Sequence, residues 1–402
     1  MTILNLLVTI AQVIDLLLGI AVAIEVGYLL LLTVAALFAR RVTPLPAGEP
    51  ATHFVVLVPA HNEEVLIERT VDSLLAMDYP RERFTVCVIA DNCTDQTATL
   101  ARARGAMVEE RTNAELRGKG YALDWALQRL WESGRPCDAL VIIDADTDVS
   151  PNFLRVMDAR LRRGDVAVQG YYAVRDPGRS WTAALRYAAL AVLHFLRPQG
   201  RMTLGGSVGL KGNGMVFTAA IMRGHRWTAS LTEDIEFHMT LVLDGKRVAF
   251  ASDAIVWAEM PNTLGTSTTQ NARWERGRVQ MLKQYVPTLL KQALAKRSFI
   301  MFDAAMEQLI PPTSVLAFLI VVCLAGGIVL GSAPGTALGL ALLAGLIVYI
   351  LAGLLLARAP AKVYLAMIYA PFLMLWKVWL YIKVVINPNK TGWVRTQRNE
   401  KK

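Results

Sequence analysis

The sequence predicts an α/β protein in which a mostly parallel, Rossmann-like sheet is flanked by transmembrane and interfacial α-helices. Hydrophobic residues make up 54% of the 402 residues and charged residues 19%, against roughly 25% charged in an ordinary soluble domain. The apolar surplus lies towards the two ends of the chain, whereas the middle alternates short apolar strands with amphipathic helices. That alternation is typical of a parallel sheet covered on both faces. A disordered chain, a small disulfide scaffold and a plain cytosolic enzyme are therefore excluded.

The protein carries a net charge of +9, and its surplus basic residues lie beside the apolar stretches. There they act as stop signals and as contacts for anionic lipid headgroups. We therefore expect membrane lipid as a partner and no nucleic acid. The four cysteines show no paired CxxC spacing, so neither a disulfide framework nor a zinc site is indicated.

Residues 1–41 are predicted to form an N-terminal transmembrane helix. Asp15 and Glu25 are the only charged residues before Arg40 and Arg41, which close the stretch. The length favours one long helix. A cleaved signal peptide is the weaker alternative, because the basic start that such peptides carry is missing.

Residues 50–277 are predicted to form the sheet domain. Strands are expected at 54–58, 84–90 and 139–143, and helices near 64–77, 95–104, 119–132 and 151–163. Ligands of such sheets bind at the carboxyl ends of the strands. The polar residues of interest all follow predicted strands or open predicted helices.

The remaining residues are predicted to lie in or on the membrane. Residues 278–306 show the pattern of interfacial helices, with an ordinary surface helix as the alternative. Residues 308–357 carry no charged side chain and are interrupted at 331–335, which predicts a transmembrane helical hairpin. Residues 362–402 are predicted to form an interfacial helix followed by a basic tail.

Two polar motifs follow the first two predicted strands. Pro59, Ala60, Asn62 and Glu63 come after the first, and Asp91 ends the second. A carboxylate at that position can accept a hydrogen bond from a base N–H or a ribose hydroxyl. Taken singly, each motif could also be a turn that caps the next helix.

Two carboxylates, Asp144 and Asp146, follow the third predicted strand. At i and i+2 they project to one side, close enough to share Mg²⁺ or Mn²⁺ that also holds a diphosphate. A pair of solvated turn acids is the alternative. Lys119 lies between two glycines where a helix begins, which suits a phosphate. No Walker loop and no GxGxxG motif occurs.

Glu233 and Asp234 open another helical pattern after Thr232. A carboxylate at a helix N-terminus is stabilised as the anion, and it can accept a proton from a bound hydroxyl if the site shifts its pKa towards neutrality. The alternative is simple N-capping by Thr232.

Gln270, Arg273 and Trp274 share one helical face by their i, i+3, i+4 spacing. An arginine can clamp a pyrophosphate, and a tryptophan face can stack on a sugar ring. A structural Arg–Trp pair is the alternative.

Taken in order, these motifs resemble the membrane-integrated family 2 glycosyltransferases, which include the cellulose, chitin and hyaluronan synthases. The motifs are PAHNEE, DNCTD, GKGYALD, DAD, TED and QNARW. The chain is most similar to the exopolysaccharide synthases of bacteria, for which VIADNCTDQTA, RGKGYALDWAL and LKGNGM are typical. The resemblance implies a nucleotide-sugar-binding domain of the GT-A type. It also implies an inverting, metal-dependent transfer of a hexose from a uridine diphosphate donor.

The resemblance also implies roles for the donor-site residues. Asp91 would read the base or ribose with Ala60 and Glu63 beside it, and Pro59, Asn62 and Lys119 would complete the donor site. Asp144 and Asp146 match the metal and diphosphate site, with Asp146 the more direct metal ligand.

In the catalytic part, Asp234 matches the general base, with Glu233 beside it. Gln270 and Arg273 match the diphosphate site, and Trp274 matches the acceptor-sugar site. The chain departs from the family in having Asp91-Asn92 where many synthases have Asp-Asp, and Asn271-Ala272 within the last motif. Neither change removes a necessary group.

The C-terminal tail resembles a short gating loop of these synthases. Trp393, Thr396 and Arg398 would then cover the donor diphosphate, whereas a solvated basic tail on lipid headgroups is the alternative. The resemblance places the protein in the bacterial inner membrane as a multi-pass protein with a cytoplasmic catalytic domain. About three spanning segments are few for a polymer pore, so translocation would need a homo-oligomer or an export partner.

We expect the acceptor to be a growing exopolysaccharide or a lipid-linked sugar. A non-processive enzyme that adds one sugar to a polyprenyl-phosphate-linked acceptor is the first alternative. A non-enzymatic membrane protein is the second, although it has no need of acidic groups at strand and helix ends. Donor sugar, linkage and acceptor depend on pocket shape, which the sequence does not show.

Overall fold

The computed structural model describes residues 3–228, 230, 232–259 and 264–386, with the side chains of 264–273, 384 and 385 outside that description. The predicted long first helix is confirmed, since α1 spans Ile3–Leu37 without a break. The predicted α/β fold is also confirmed, because alternating strands and helices build one eight-stranded sheet after α1.

The sheet is mixed and mostly parallel around its predicted strands. The eight strands are β1 Phe54–Ala60, β2 Phe84–Asp91, β3 Met107–Arg111, β4 Ala139–Ile142, β5 Thr147–Val149, β6 Ala167–Val174, β7 Met215–Thr218 and β8 Val248–Ala258. Their order is β3-β2-β1-β4-β7-β6-β8-β5. Strand β1 pairs in parallel with β2 and β4, whereas β7 is antiparallel to both of its neighbours. The carboxyl ends of β1, β2 and β4 therefore meet at one edge.

Helices cover both faces of this sheet. The helices after α1 are α2 Ile67–Leu75, α3 Thr97–Ala103, α4 Lys119–Glu132, α5 Phe153–Leu161, α6 Trp181–Leu190, α7 Arg197–Leu204, α8 Ala219–Gly224, α9 Glu233–Leu243, α10 Leu264–Lys296, α11 Phe299–Leu309, α12 Thr313–Val329, α13 Ala333–Leu356, α14 Ala361–Ala366 and α15 Ala370–Ile386. A π-helical segment, Ala191–Leu196, joins α6 to α7.

Alternation along β1 explains the two layers. Val56 and Val58 pack with α2, α3 and α5, whereas Val55 and Leu57 pack with α4, α8 and α9. Both faces of this central strand are buried, so it reads as a continuous apolar run. The three predicted strands and the four predicted helices are all present, with shifts of a few residues at their ends.

Three helical stretches of the described residues are long and apolar enough to cross a membrane: α1, α13 and Ala361–Lys383. A fourth is added if α11 and α12, which meet at an angle of 71°, form one broken span. Helices α12 and α13 pack against each other and against α1, as in the predicted hairpin. Because Ala361–Lys383 is long enough to cross, its interfacial position stays a prediction.

The predicted interfacial region begins within α10. Val286, Leu289 and Ala293 of this helix are buried against α9 and α11. That packing joins the helix to the sheet domain, as the alternative of a surface helix requires. Its contact with a membrane interface stays a prediction.

Candidate active site

A cavity of about 1340 Å³ opens at the carboxyl ends of the central strands and continues between the apolar helices. It collects residues from across the sequence at one edge of the sheet. The predicted site residues that line it are Pro59, Ala60, Glu63, Asp91, Lys119, Asp144, Asp146, Glu233, Asp234 and Trp274. The parallel pairing of β1 with β2 and β4 brings their ends together.

Unlike its neighbours in the motif, Asn62 connects two loops. Its backbone has a φ of 55°, and its side-chain oxygen accepts a hydrogen bond of 2.7 Å from the backbone N–H of Thr94. Asn62 is not among the residues that line the cavity. It joins the loops that follow β1 and β2 and so fixes their relative position.

Asp91 is held by an arginine that the motifs did not indicate. Nη1 of Arg111, at the end of β3, donates to the Asp91 carboxylate at 2.6 Å, and both side chains are buried. The Asn92 amide donates to the same oxygen at 3.0 Å. The Asp91 carboxylate is thereby held in position at the cavity wall.

Asp95, four residues later, does what the capping alternative requires. Its Oδ1 accepts from the backbone N–H of Thr97 at 3.0 Å and from the Thr97 hydroxyl at 2.5 Å. The second acid of the DNCTD motif therefore binds Thr97 at the start of α3, whereas the first lines the cavity.

Lys119 and Asp144 form an ion pair inside the cavity. Nζ of Lys119 lies 2.5 Å from Oδ1 of Asp144 and 2.5 Å from the carbonyl oxygen of Gly212. Burial alone lowers the pKa of Lys119, but the carboxylates of Asp144 and Glu233 outweigh it, so the pKa is raised. Lys119 therefore stays a cation where the sequence predicts phosphate.

Asp234 lies at the first turn of α9, beside Gly212, whose carbonyl oxygen Lys119 binds. A Cβ at Gly212 would lie 3.4 Å from Oδ2 of Asp234 and 3.9 Å from Nζ of Lys119. Burial raises the pKa of the Asp234 carboxyl, although the backbone N–H of Ile235 and the cations Lys119 and Lys211 act in the opposite direction. A raised pKa brings a carboxylate closer to the range in which it works as a base.

The N-capping alternative for Thr232 is wrong. The Thr232 side chain makes no capping hydrogen bond to α9, and its hydroxyl is buried. Its methyl and hydroxyl groups instead fill the space beside Gly277, where a Cβ would clash with the Thr232 side chain. The helix start is therefore held by packing against α10.

Trp274 projects from α10 into the cavity and is 41% exposed. The Arg186 guanidinium lies 6.0 Å from the centre of its ring. Gln270 and Arg273 belong to the same helix, but their side chains lie outside the described residues. The gating residues Trp393, Thr396 and Arg398 also lie outside them.

Residues 50–277 match a family described as glycosyltransferase like family 2. The chain belongs to this family. The match covers the whole sheet domain and all the motifs that line the cavity. The resemblance inferred from those motifs is thereby confirmed, and the protein is a family 2 glycosyltransferase.

Similar proteins come from several bacteria. The probable glycosyltransferase YdaM of Bacillus subtilis is 24% identical over 258 residues, which is 62% of this chain and 60% of the relative. A β-monoglucosyldiacylglycerol synthase of Nostoc is 28% identical over 250 residues, 60% of this chain and 52% of the relative. A poly-β-1,6-N-acetyl-D-glucosamine synthase of Staphylococcus aureus is 28% identical over 262 residues, 61% of this chain and 60% of the relative. The glycosyltransferase thus spans little more than half the length of these relatives.

A solved structure supports the GT-A type of fold. The mannosyltransferase PcManGT from Pyrobaculum calidifontis, in complex with GDP-Man and Mn²⁺, is similar with a TM-score of 0.53 and 20% identity. The likeness covers 84% of this chain and 97% of that one. At this level of identity it shows the fold of the glycosyltransferase alone.

The donor set at Asp144 and Asp146 fits a magnesium or manganese ion. Within the described ranges no group of three or more His, Cys, Asp or Glu could hold a metal. Asp144 and Asp146 supply two hard carboxylates at the cavity wall, and Asp146 is 9% exposed. Mg²⁺ commonly binds through one or two carboxylates and completes its shell with water and substrate phosphates. The two carboxylates of the glycosyltransferase suit that mode.

Asn213 is a positioning residue that the motif analysis missed. Its side-chain oxygen accepts from the backbone N–H of Asp144 at 3.1 Å, and its amide donates to the Thr147 hydroxyl at 2.8 Å. Gln169 of β6 in turn binds the Asn213 carbonyl oxygen at 2.7 Å. The run LKGNGM was the available signal, because a fully buried asparagine between two glycines has to satisfy its amide locally.

Proposed function

We propose that this protein transfers a hexose from a uridine diphosphate sugar to a growing polysaccharide or a lipid-linked acceptor, with inversion at the anomeric carbon. The carrying observation is that Asp234 and the Lys119–Asp144 pair both lie beside Gly212 in one cavity. The pair offers groups for a diphosphate, and Asp234 offers a buried base.

On the donor side, the chain supplies a carboxyl group and a lysine that hydrogen bonds hold in place. The Asp91 carboxylate, held by Arg111, can accept from a base N–H or a ribose hydroxyl. Lys119 can pair with a diphosphate oxygen in place of the Gly212 carbonyl. Asp144 and Asp146 would hold Mg²⁺ or Mn²⁺, which neutralises charge on the leaving diphosphate when it is bound.

On the acceptor side, Asp234 takes the proton of the acceptor hydroxyl. The hydroxyl oxygen forms a bond to the anomeric carbon while the bond from that carbon to the phosphate oxygen breaks. The nucleoside diphosphate leaves with the electron pair of that bond, next to the cation of Lys119. Attack opposite the leaving group gives inversion. Trp274 would stack on the acceptor sugar, and Gln270 and Arg273 would contact the diphosphate.

The apolar helices support a reaction at a membrane. Relatives of known name come from bacteria, and Arg40 and Arg41 follow α1 directly. By the positive-inside tendency, we place the protein in a bacterial inner membrane with its sheet domain in the cytoplasm. A single addition to a polyprenyl-phosphate-linked acceptor stays the alternative to polymer growth.

Nucleotide release tests the proposal. The protein, purified in detergent, is incubated with a panel of nucleotide sugars, with and without Mn²⁺, and released nucleoside diphosphate is measured. We expect metal-dependent release from a uridine diphosphate sugar. If no sugar nucleotide is turned over and none binds, the proposed function is wrong and a binding or transport role is favoured.

A further inference from the structure

The cavity extends beyond the proposed reaction site into the apolar helices. Its far part, which we call the membrane arm, is lined by Val321 of α12, Leu343, Ile347 and Ile350 of α13, and Leu373 and Met374 of α15. Helix α13 and the segment that contains α15 are both long and apolar enough to cross a membrane. An apolar slot between such helices suits a hydrocarbon chain.

Arg197 lines the same cavity, beside helix α13 of the membrane arm. Its side chain is 3% exposed, and its Nε donates to the Tyr349 hydroxyl at 2.6 Å. Nη2 of Arg197 is buried and has no hydrogen-bond partner among the described residues. A buried charged donor without an acceptor is costly, so it indicates an acceptor that comes from a ligand.

A second arginine stands near the first. Arg278 of α10 lines the same cavity. Its pKa is lowered, first by burial and further by the charge of Arg197, while Glu275 acts in the opposite direction. Two guanidinium groups that repel each other, one buried and one half-buried, are relieved by an anion placed between them. Arginine pairs preferentially with carboxylates and phosphates, because its planar fork matches their oxygens.

The acidic neighbours do not fully satisfy this pair. Glu25 of α1 interacts electrostatically with both arginines, but its Oε2 makes no hydrogen bond among the described residues. Glu275 lies 3.7 Å from Nζ of Lys377. Glu307 also acts on both arginines, but it already pairs with Arg201 and Lys211. These acids are therefore shared with other cations, which leaves room for a further anion beside an apolar slot.

We propose that the membrane arm binds a lipid acceptor that carries a phosphate group. The phosphate is held by Arg197 and Arg278, and the hydrocarbon chain lies between α12, α13 and α15. A hydroxyl beyond the phosphate reaches Asp234, which takes its proton as the sugar is transferred. This inference rests on the proposed function and names the acceptor class of the same site.

The first experiment compares acceptors for the full-length protein in phosphatidylcholine nanodiscs. The probes are polyprenyl-diphosphate-linked N-acetylglucosamine, phosphatidylglycerol and diacylglycerol, each with radiolabelled UDP-glucose or UDP-N-acetylglucosamine and Mn²⁺. We expect sugar on a phosphate-bearing lipid and none on diacylglycerol. The polyprenyl and glycerolipid arms show which source supplies the phosphate. Equal transfer to diacylglycerol would overturn the proposal.

The second experiment removes the arginine contacts. Arg197→Gln and Arg278→Gln are expected to raise the KM for the phosphate-bearing lipid about tenfold or more. UDP binding and acceptor-independent nucleotide release should stay unchanged, since neither variant touches the donor end. An unchanged KM in both folded variants would contradict a phosphate site at these arginines.

A third variant keeps the proposal testable if the buried arginine variants do not fold. Ile347→Trp fills the membrane arm from α13, whereas Val348→Trp, one residue later, changes a half-exposed side chain outside the cavity lining. We expect Ile347→Trp to lose lipid glycosylation but to keep nucleotide release, and Val348→Trp to keep both. Equal lipid glycosylation in the two variants would contradict the lipid position.

The readouts distinguish a failure of the acceptor proposal from a failure of the proposed function. Nucleotide release without transfer to any lipid would overturn the acceptor proposal and leave the donor chemistry standing. If the unaltered protein neither releases nucleotide nor binds UDP, the proposed function is contradicted, and the lipid proposal with it.

Discussion

The ammonium of Lys119 lies 2.5 Å from the carboxylate of Asp144, although 25 positions separate them in the chain. The pair joins the start of α4 to the end of β4 at the wall of the cavity. A diphosphate that enters the site would meet this cation first. Lys119 would then exchange the Gly212 carbonyl for a phosphate oxygen, which strengthens its interaction because both partners are charged.

Lys119→Met is therefore expected to weaken the binding of UDP in the presence of Mn²⁺ about tenfold or more. The substitution removes one charge-assisted hydrogen bond while keeping the aliphatic stem. Isothermal titration calorimetry measures the change in Kd. Lys291→Met, at an exposed position of α10, is the matched control. Equal affinities of the two variants would remove Lys119 from the donor site.

Asp234→Asn is expected to abolish sugar transfer and to leave UDP binding nearly intact. The amide cannot accept the acceptor's proton, and loss of a positioned general base costs about a hundredfold to ten-thousandfold. Product formation and calorimetry measure the two effects separately. Asp244→Asn, just after the other end of α9, should keep full activity. A parallel loss of transfer and of UDP binding in Asp234→Asn would contradict the role of a base.

The raised pKa of Asp234 predicts a pH dependence of both rate and stability. The base works as the anion, so kcat should fall as the pH drops through a value above the ordinary carboxyl pKa of about 4. Because the folded pKa is raised, the folded state prefers the protonated form, and this contribution to stability is lost as the pH rises through it.

Thermal unfolding checks the sign of that effect. The Tm of Asp234→Asn should exceed that of the unaltered protein at pH 7, and the difference should shrink towards pH 4. A Tm of the variant below that of the unaltered protein at neutral pH would show that the Asp234 anion is stabilised by its surroundings.

Asp146→Ala is expected to weaken UDP binding with Mn²⁺ and to leave metal-free binding unchanged. One of two shared carboxylates is lost, which leaves the ion with a single protein ligand of this kind. Calorimetric titration with and without Mn²⁺ decides the matter. Asp72→Ala, on α2 and outside the cavity lining, is the control. If Mn²⁺ enhances binding equally in both variants, Asp146 is not a metal ligand.

Local sequence patterns predicted the part of the fold that local residues determine. Strands β1, β2 and β4 are apolar runs that end in polar motifs, and they were predicted with their following helices. The other five strands, β3, β5, β6, β7 and β8, were not predicted, and β6 and β7 show why. Gly170 interrupts the apolar run of β6 at its register shift, and β7 has only four residues. Their antiparallel pairing depends on residues that are distant in sequence.

In the candidate site, too, residues within local motifs were predicted, whereas residues that reach the site from a distance in sequence were not. Asp91, Asp144 and Asp234 were predicted, because each follows or opens an element and belongs to a motif. Arg111 and Asn213 were missed, because each acts on a site residue that lies 20 or more positions away. Asn62 was predicted at the donor, but its amide binds the Thr94 backbone, as a turn residue does. Motif spacing indicates which residues carry the chemistry. The residues that hold them in place, such as Arg111 and Asn213, are brought to the site by tertiary packing, which the spacing does not show.

Gly212→Ala is expected to disturb the site through strain and proximity together. Gly212 has a φ of 76°, a left-handed conformation that costs an alanine roughly 1–2 kcal/mol. The new methyl would also lie 3.4 Å from Oδ2 of Asp234 and 3.9 Å from Nζ of Lys119.

Gly134→Ala is the matched control, because Gly134 has a φ of 64° and nothing within 4 Å of its Cβ position. Thermal unfolding should show similar losses of stability in the two variants, since the backbone strain is alike. Transfer activity should fall in Gly212→Ala only, because there the methyl occupies space beside both the proposed base and the cation. Full activity of Gly212→Ala would show that the reacting sugar does not need the space beside Gly212.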